Sequence, residues 1–279
     1  MLDFRDKVAV VTGAASGIGR AIADRCAAEG MRVVLADIEE PALLETAKSM
    51  ADSGARLLPY RLDVSSAGEV EALAATVYRQ FGAVHLLFNN AGVAPEGMPA
   101  WSQTLDTWRW VIDVNLYGVI HGIRSFVPRM LASGEEGHVV NTASVAGLHA
   151  GPMISPYYVS KHAVVGLSES LFLELQMASA RVDASVLCPA FVRTKIAESA
   201  RNRPQTGAAE SGSEEFGVMV RGMVEQGVSP QSIAEQVFDA ITKRQFWILT
   251  HPEFDAAIRE RVNGMLERRN PQAAIPPPK

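Results

Sequence analysis

Short apolar segments alternate with helix-like segments through the first 190 residues, and this alternation limits the possible folds more than any other feature. Each apolar segment has the length of a β-strand and is hydrophobic on both faces, as central strands of parallel sheets are. The segments are 8–11, 33–35, 57–62, 86–88, 139–141 and 184–187. Helical periodicity occupies 18–29, 41–53, 69–81, 105–131 and 158–178. The pattern predicts an α/β fold of the Rossmann type, a doubly wound parallel sheet of about seven strands with helices on both faces.

The last third of the chain has weaker and less regular patterns. Residues 195–227 are rich in Ala, Ser, Gly, Glu and Arg, so we expect one or two short helices joined by a mobile loop that acts as a substrate lid. Two further helices are expected at 229–243 and 253–268, with a seventh strand between them at 246–249. The proline-rich tail, 270–279, is expected to be irregular. Neither a repeat nor a linker divides the 279 residues, which predicts a single domain, 1–279.

Residues that start and stop helices support this division. Ser66 is expected to cap the helix that follows it, with Glu69 completing a capping box. Gly30 and Gly54 stand just past the ends of predicted helices, where glycine commonly ends a helix. Pro230 suits the first turn of the helix predicted over 229–243.

Composition narrows the range of partners and compartments. A net charge of −5 disfavours nucleic acid and anionic lipid as partners. A membrane span is not expected either, because the sequence has no run of about 18 apolar residues. Residues 1–6 are polar and do not resemble a signal peptide, so we expect a cytoplasmic protein. Cys26 and Cys188 are expected to be buried thiols in a reducing compartment, and no cysteine or histidine spacing predicts a metal site.

A glycine-rich turn joins the first predicted strand to the first predicted helix. Glycines at 13, 17 and 19 allow a tight turn and a close approach of a pyrophosphate, and the helix then offers free N–H groups. The GxxxGxG spacing differs from the commonest dinucleotide fingerprint, and a structural turn is the alternative; the strand-to-helix position favours a nucleotide site. The candidate cofactor residues here are Gly13, Ser16, Gly17, Ile18 and Gly19.

Asp37 ends the second predicted strand, 20 residues after Gly17. An acid at this place in a dinucleotide fold holds the ribose hydroxyls and repels a 2′-phosphate, so the predicted cofactor is NAD. An NADP enzyme would show a basic residue nearby, whereas Ile38 and Ser16 are uncharged. The alternative is a solvated carboxylate at the end of a strand.

Further motifs follow along the chain, most of them directly after a predicted strand. They are Asp63-Val64, Asn89-Asn90-Ala91-Gly92, Asn115, Ser144, the YxxxK pair Tyr157 and Lys161, and the segment that contains Pro189, Val192 and Thr194. In this order they resemble the short-chain dehydrogenase/reductase family, over roughly residues 7–194 and weakly to 249. Ala190 replaces the glycine that the family usually has, which puts the local backbone path in question.

The resemblance implies an oxidoreductase that uses NAD and acts on CH–OH groups. It implies that Asp63 and Val64 hold the adenine, and that Asn115 holds a water which connects Lys161 to solvent. For Asn115 the alternative is a helix-interior amide bonded to backbone. The family's habit implies a homodimer or homotetramer, and the apolar helices predicted over 105–131 and 158–178 would be covered by such pairing. The remaining implied cofactor contacts are Asn90, Ala91, Gly92, Pro189, Val192 and Thr194.

The YxxxK pair also has a direct chemical interpretation. Residues four apart on a helix share one face, so Lys161 should lie beside Tyr157. The resemblance implies that Lys161 also holds the nicotinamide ribose. The lysine ammonium and the positive nicotinamide ring would lower the phenol pKa from about 10 and make Tyr157 the acid–base group. Ser144 would donate a hydrogen bond to the substrate oxygen. A YxxxK pair alone is commonly an ordinary helix pair, and Ser144 and Asn115 favour the catalytic interpretation.

The substrate end is less readable. Segments 93–101, 146–154 and 195–227 should surround the pocket, because ligands lie beyond the carboxyl ends of the strands. Their bulky apolar residues favour a hydrophobic or aromatic secondary alcohol or ketone, although each could equally be a core or subunit contact. These residues are Met98, Trp101, Leu148, Met153, Ile196, Phe216 and Met219, together with Phe191, which lies just before the last segment.

Residues 126–134 and 195–204 look similar to one branch of the family, some of whose members oxidise benzylic secondary alcohols of lignin-derived aryl ethers. Two other functions stay open. One is an NADPH-dependent biosynthetic ketoreductase, against which Asp37 argues. The other is a nucleotide-sensing protein without catalysis, which would be expected to lack Tyr157, Lys161 or Ser144.

Overall fold

The computed structural model describes residues 3–51, 54–204 and 212–272, and a seven-stranded parallel sheet lies at its centre. The strands are β1 Val8–Thr12, β2 Arg32–Asp37, β3 Arg56–Arg61, β4 Leu86–Asn89, β5 Gly137–Thr142, β6 Val182–Cys188 and β7 Trp247–Leu249. Their order in the sheet is β3-β2-β1-β4-β5-β6-β7. The predicted Rossmann-type fold is confirmed, and the strand order reverses between β1 and β4, where such folds bind ligands.

Helices cover both faces of this sheet. They are α1 Gly17–Ala28, α2 Glu40–Ala51, α3 Ala67–Phe81, α4 Leu105–Ile112, α5 Gly118–Ser133, α6 Ser155–Met177, α7 Glu214–Glu225, α8 Pro230–Lys243 and α9 Asp255–Leu266. Short 3₁₀ turns occupy Val145–Gly147, Ile196–Asn202 and Pro252–Phe254. None of the helices in the described ranges is both long enough and apolar enough to cross a bilayer.

The alternating side chains of β1 show why the sheet is hydrophobic throughout. Ala9 and Val11 pack in a cluster with residues of α1 and α8, whereas Val8 and Val10 pack in a second cluster with residues of α3 and α5. All four side chains are almost completely buried. Because both faces are covered, polar residues occur mainly where the strands end, and that position is where the site lies.

The predicted helix 105–131 is not continuous. A π-helical turn, Asp113–Tyr117, separates α4 from α5 and contains Asn115. A π turn adds one residue to the helical ring, so it changes the direction in which the next side chains point. The periodicity of the sequence does not reveal this insertion, because apolar residues continue across it.

The capping box predicted at α3 is only half formed. The Ser66 hydroxyl accepts the Glu69 N–H at 3.3 Å, as expected. The Glu69 carboxylate accepts the N–H of Asp63 at 3.0 Å, because the N–H of Ser66 already donates to the Asp63 carbonyl. The glycines at 30 and 54 have φ of +78° and +82°, which fits the predicted helix ends.

The region expected to form a lid contains two helical elements. They are the 3₁₀ turn over 196–202 and α7, and the latter is longer and more regular than the weak periodicity suggested. The middle of the predicted loop, 205–211, lies outside the described residues, as do 52–53 and 273–279. The mobility of residues 195–227 therefore stays a prediction.

Candidate active site

A pocket of about 370 Å³ opens at the carboxyl end of the sheet, beside the crevice between β1 and β4. Nearly all residues that the motifs assigned to the cofactor or to catalysis line it. Gly19 and Asn115 are the exceptions, and both are buried behind the wall. The lining residues from the motifs are Gly13, Ser16, Gly17, Ile18, Asp37, Asp63, Val64, Asn90, Ala91, Gly92, Ser144, Tyr157, Lys161, Pro189, Val192 and Thr194.

The glycine-rich turn packs tightly against its neighbours. Gly13 and Gly17 have φ of +68° and +55°, which residues with a side chain rarely adopt. A Cβ atom on Gly19 would lie 2.1 Å from the Gly13 carbonyl oxygen, and one on Gly17 would lie 2.9 Å from Cγ2 of Thr194. Ser16 makes no capping bond to α1. The amino end of α1 thus remains available to an anion, as a pyrophosphate site requires.

Thr12, the last residue of β1, ties the glycine-rich turn to β4. Its hydroxyl donates to the Phe88 carbonyl oxygen (3.2 Å) and accepts from the N–H groups of Asn90 (2.9 Å) and Ala91 (3.1 Å). The Asn90 side-chain amide donates to the Thr12 carbonyl oxygen (2.9 Å) and accepts from the hydroxyl of Thr142 (3.4 Å). The ends of β1, β4 and β5 are therefore fixed relative to one another.

Two of the predicted cofactor residues in the pocket are carboxylates. Asp37 accepts the N–H of Ala15 at 2.9 Å on one oxygen and that of Glu39 at 3.0 Å on the other. Burial raises the pKa of Asp37 above its ordinary value, while these N–H donors act in the opposite direction. Asp63 is held through Oδ1 by the N–H and hydroxyl of Ser65. Each carboxylate keeps acceptor sites for a ligand, since it offers about four.

Tyr157 and Lys161 share one face of α6, as their spacing predicts. The Lys161 Nζ donates to the Thr142 carbonyl oxygen at 3.0 Å and lies 5.5 Å from the centre of the Tyr157 ring. Burial raises the pKa of Tyr157 to about 12, against a hydrogen bond with Ser144, and burial lowers the pKa of Lys161 to about 8. Without the cofactor, the pKa of Tyr157 is therefore raised, because desolvation of the phenolate is the largest effect on it. The predicted lowering depends on the positive nicotinamide ring as well as on Lys161, and it stays a prediction.

Ser144 stands beside Tyr157 at the end of β5. Its hydroxyl donates to the Pro189 carbonyl oxygen (3.1 Å) and accepts the N–H of Ala146 (3.1 Å) at the start of a 3₁₀ turn. The same residue therefore orients the segment after β6 and faces the pocket. A substrate oxygen would have to compete with Pro189 for the hydroxyl proton.

Asn115 is completely buried and fixes the loop that follows β4. Its side-chain oxygen accepts the N–H of Val93 (2.8 Å), and its Nδ2 donates to the Val93 carbonyl (2.9 Å) and the Ser160 hydroxyl (3.1 Å). Two of these bonds go to the backbone of Val93, as in the alternative interpretation, but this backbone belongs to another segment rather than to the helix of Asn115. Gly92 lies between Asn115 and Lys161, with a Cβ position 3.4 Å and 3.5 Å from their polar atoms. The implied water relay stays a prediction.

Only half of the residues that the sequence assigned to the substrate end line the pocket. Phe191, Ile196, Phe216 and Met219 line the pocket. The other four residues do not, and each has a different environment. Trp101 is 88% exposed, and Leu148 packs against the cluster that contains Val164. Met98 and Met153 pair through their backbones, with the Met98 N–H donating to the Met153 carbonyl at 2.7 Å.

Val220 and Met223 of α7 also line the pocket and were not identified from the sequence. α7 presents Phe216, Met219, Val220 and Met223 to the pocket, an i, i+3, i+4, i+7 spacing that was present in the sequence but obscured by its glycines. The remaining newly found aromatic side chains are Trp110, His149, Tyr158 and Phe254.

The aromatic side chains form a connected series around the substrate end. The His149 ring lies parallel to that of Phe254, with centres 6.0 Å apart, and the edge of Tyr158 meets it at 6.0 Å. Phe254 also contacts Phe191, at 6.3 Å between ring centres. Burial lowers the pKa of His149, so the neutral ring is favoured. This end of the pocket therefore suits a planar, apolar group.

His251 was missed because no local pattern marks it. It is buried after β7, where its Nδ1 accepts the Ala190 N–H (3.1 Å) and its Nε2 meets the Phe191 carbonyl oxygen (3.1 Å). A ring whose Nδ1 accepts must carry its proton on Nε2, so Nε2 donates to Phe191. His251 thereby holds the peptide groups on both sides of the Ala190–Phe191 peptide, at the position where Ala190 replaces the family's glycine.

Residues 7–205 match a protein-family model described as short chain dehydrogenase. The chain belongs to the short-chain dehydrogenase/reductase family. The matched span ends before α7, so the family motifs account for the cofactor side of the pocket and leave much of the substrate side to this chain's own sequence.

Similar proteins extend over almost the whole chain. A short-chain dehydrogenase/reductase from Burkholderia phymatum, solved in complex with NAD, is 43% identical, with a TM-score of 0.96 and coverage of 99% of this chain and 100% of that one. A CLA biosynthesis dehydrogenase/reductase from Lactiplantibacillus plantarum is 33% identical over 99% of this chain and 98% of its own length. A C alpha-dehydrogenase from a Sphingobium species is 31% identical over 99% and 90% respectively.

This short-chain dehydrogenase is therefore an oxidoreductase that uses a nicotinamide cofactor and interconverts an alcohol and a carbonyl compound. When bound, the nicotinamide ring supplies the acceptor or donor of the hydride. The amino end of α1, which the Ser16 side chain does not cap, fits the cofactor's pyrophosphate, and Gly13 and Gly17 line the pocket beside it.

Proposed function

We propose that this dehydrogenase uses NAD rather than NADP and acts on secondary alcohols or ketones that carry a bulky aromatic group. Asp37 is the observation that carries the cofactor choice, because its carboxylate is fixed in the pocket beside the uncharged Ile38. Arg201 also lies at this end, but its guanidinium is paired with Glu39. A 2′-phosphate would meet the Asp37 carboxylate, and no unpaired arginine lines this end of the pocket in the described part of the chain, which disfavours NADP.

Tyr157 is the residue proposed to exchange the substrate proton. In carbonyl reduction its phenol donates a proton to the substrate oxygen, and a pKa of about 12 keeps that proton in place at neutral pH. In alcohol oxidation the phenolate must accept the proton, so a positive charge beyond Lys161 is needed near the ring. The positive charge of the oxidised nicotinamide supports this direction.

Lys161 and Ser144 are proposed to position the reacting groups. Lys161 Nζ has three N–H donors, and the Thr142 carbonyl uses one, so two remain for the hydroxyls of the nicotinamide ribose. Ser144 is proposed to orient the substrate oxygen and stabilise its developing charge. Asn115 is proposed to act by holding the loop after β4 and, as the resemblance implies, a water that connects Lys161 to solvent.

The substrate class is proposed from the walls of the pocket. The rings of Phe191, His149 and Phe254 face it from one side, and α7 covers it with apolar side chains. Aromatic substrates gain from burial and from edge and face contacts with such rings. The similarity to the Sphingobium C alpha-dehydrogenase supports benzylic secondary alcohols as the first class to test.

A screen of secondary alcohols with NAD and with NADP tests the proposed function. Formation of reduced nicotinamide is measured for matched alcohols with aryl and with short aliphatic substituents. We expect turnover with NAD and a higher kcat/KM for the aryl members. Equal kcat/KM for aryl and aliphatic alcohols would exclude the proposed substrate class, and turnover with NADP alone would exclude the proposed cofactor.

We further propose a homodimer or homotetramer in which α5 and α6 pair across a two-fold axis. Val159, Leu173 and Met177 lie along one side of α6 and are exposed, Met177 to 86%. Exposed apolar residues in a row are commonly covered by another subunit. Light scattering should give a multiple of the chain mass, and Leu173→Glu should lower it. A wild-type monomer at micromolar concentration would contradict this proposal.

A cytoplasmic location is proposed from the cysteines. Cys26 and Cys188 are both buried and unbridged, as the sequence predicts, and burial raises the pKa of both thiols. Unbridged thiols are typical of a reducing compartment. Cell fractionation should place the protein in the soluble cytoplasmic fraction, and recovery outside the cytoplasm would contradict the proposal.

A further inference from the structure

The 3₁₀ turn Ile196–Asn202 crosses the edge of the pocket and is attached to two other segments. Ser199 is buried in its middle, where its hydroxyl accepts the N–H of Ala94 (3.1 Å) and donates to the Ile196 carbonyl oxygen (2.6 Å). This bond joins the turn to the loop after β4. The far end of the turn is attached to the loop after β2, on the other side of β1.

Glu39 provides this second attachment, two residues after Asp37. Its Oε1 accepts three hydrogen bonds, from Nε (3.0 Å) and Nη2 (2.7 Å) of Arg201 and from Nδ2 of Asn202 (2.9 Å). Arg201 Nη1 also donates to the carbonyl oxygens of Lys195 (3.0 Å) and Glu198 (2.9 Å). The guanidinium is thus held by its own turn and directed at Glu39.

Most of the charges around Glu39 and Arg201 favour their ion pair. Arg201 lowers the pKa of Glu39 through its hydrogen bonds, and Lys195 acts in the same direction. Asp37 carries the opposing charge, since Glu39 raises its pKa. The side chains of Arg201 and Glu39 are 32% and 28% exposed, so salt should weaken their attraction without removing it.

We infer that Glu39, Arg201 and Asn202 form a latch over the cofactor cleft, and that opening of this latch controls how fast the dinucleotide leaves. The inference rests on the proposed dinucleotide site, because Asp37, Thr194 and the latch residues all line one pocket. Glu39 is therefore a positioning residue that acts through Arg201. All latch residues belong to the described part of the chain.

The direct test is the dissociation rate of NADH, measured by stopped-flow fluorescence after mixing with excess NAD. Glu39→Gln should raise this rate about 10-fold or more, because hydrogen bonds to a charged group are strong. Arg201→Met should have a similar effect, and the double variant should be no faster than the faster single variant, because the two residues act on one contact. Added salt should accelerate release from the wild type more than from Glu39→Gln.

A matched control is available elsewhere on the surface. Glu71 pairs with Arg129 between α3 and α5 in an ion pair that does not line the pocket, where the arginine is about as exposed as Arg201 (35%) and the carboxylate is more exposed than Glu39 (53%). Glu71→Gln should leave NADH dissociation unchanged. If Glu71→Gln accelerated release as much as Glu39→Gln does, the latch would be refuted, because the effect would then follow from any lost ion pair.

Hydrogen exchange provides a readout that needs no activity. In the protein without cofactor, amides of 196–202 should exchange faster in Glu39→Gln than in the wild type or Glu71→Gln. Faster exchange with an unchanged NADH dissociation rate would overturn the gating role, and so would no change in either quantity. If the protein binds NADPH more tightly than NADH, the proposed NAD specificity is wrong. The latch is then tested with NADPH, by the same ratio of dissociation rates between Glu39→Gln and the wild type.

Discussion

The two ends of the active-site pocket are built differently. At the cofactor end, the ligand faces backbone and short side chains at the ends of β1 and β4, whose residues are buried throughout. At the substrate end it faces α7, which buries only Val224, and Phe254 in the 3₁₀ turn before α9, a turn that buries none of its residues. The cofactor end can change only if the core changes, whereas the substrate end can be altered one side chain at a time.

The difference has an energetic consequence. Displacing a strand end breaks apolar contacts on both faces of the sheet, so such motion costs a large part of the stability of the domain. Opening the substrate end breaks contacts of few buried groups, which places it among the low-stability parts of a protein. Variants at the two ends should therefore fail in different ways.

Tyr157→Phe gives the largest expected effect and tests the chemical group between the two ends. Turnover should fall by about 10² to 10⁴-fold, the usual contribution of a general acid or base, while NADH still binds. Steady-state rates and fluorescence titration of NADH measure the two quantities.

The adjacent Tyr158 provides the control. It lines the pocket, but it points about 100° away around α6 and lacks a lysine four residues later. Tyr158→Phe should retain most of the activity. If Tyr158→Phe lost turnover while Tyr157→Phe kept it, the assignment of the catalytic tyrosine would be wrong.

Ser144→Ala should have a somewhat smaller effect on catalysis. Removing one hydrogen-bond donor to developing charge lowers kcat by roughly 10² to 10³-fold. The hydroxyl also contacts Pro189, so KM for NAD is measured beside kcat to separate positioning of the cofactor segment from chemistry. A loss confined to KM would contradict a role at the substrate oxygen.

Lys161→Met tests how much stability the protein loses by burying the Lys161 ammonium group between the two ends of the pocket. Burial lowers the pKa of Lys161 from 10.5 to about 8, so between these values the unfolded chain binds more protons and wild-type stability rises with pH. The free energy of unfolding of the variant should lack this rise. At neutral pH it should exceed that of the wild type by up to about 3 kcal/mol, reduced by the loss of the hydrogen bond to Thr142. Urea unfolding of the cofactor-free protein across this pH range measures it. An equal rise of the free energy of unfolding with pH in both proteins would show that Lys161 does not cause it.

His251→Phe should give the smallest of these effects and should act on both ends at once. It leaves the buried Ala190 N–H without its acceptor, which costs about 1–3 kcal/mol of stability. We expect KM to rise more than kcat falls, because the group positions Phe191 and the cofactor segment. His251→Gln, which keeps a donor and an acceptor, should recover part of the KM. Equal KM values for the Phe variant and the wild type would exclude a positioning role.

The sequence predicted the cofactor end well because its determinants are local. A glycine at 13 or 17 is required by the backbone angle at that residue, and the strand before it is recognised by its own apolar run. The substrate end depends on contacts between distant segments, such as His251 with Ala190. A buried histidine after the last strand carries no pattern that reveals its partner.

Some features of the site have physical causes that no sequence pattern contains. The π turn around Asn115 interrupts a helix whose apolar periodicity is otherwise continuous. The pKa of Tyr157 depends on how completely it is removed from water, and the spacing to Lys161 gives only the neighbouring charge. Trp101 was taken for a wall residue because of its type, yet it is exposed on the loop before α4.

Titration of the unmodified protein with NADH and with NADPH tests the central claim most directly, because it needs neither a substrate nor a variant. The carboxylate of Asp37 at the ribose end predicts that NADH binds at least about 10-fold more tightly, a difference of about 1.4 kcal/mol. Asp37→Ala combined with Ile38→Arg should narrow or reverse the preference. Tighter binding of NADPH than of NADH by the wild type would contradict the account.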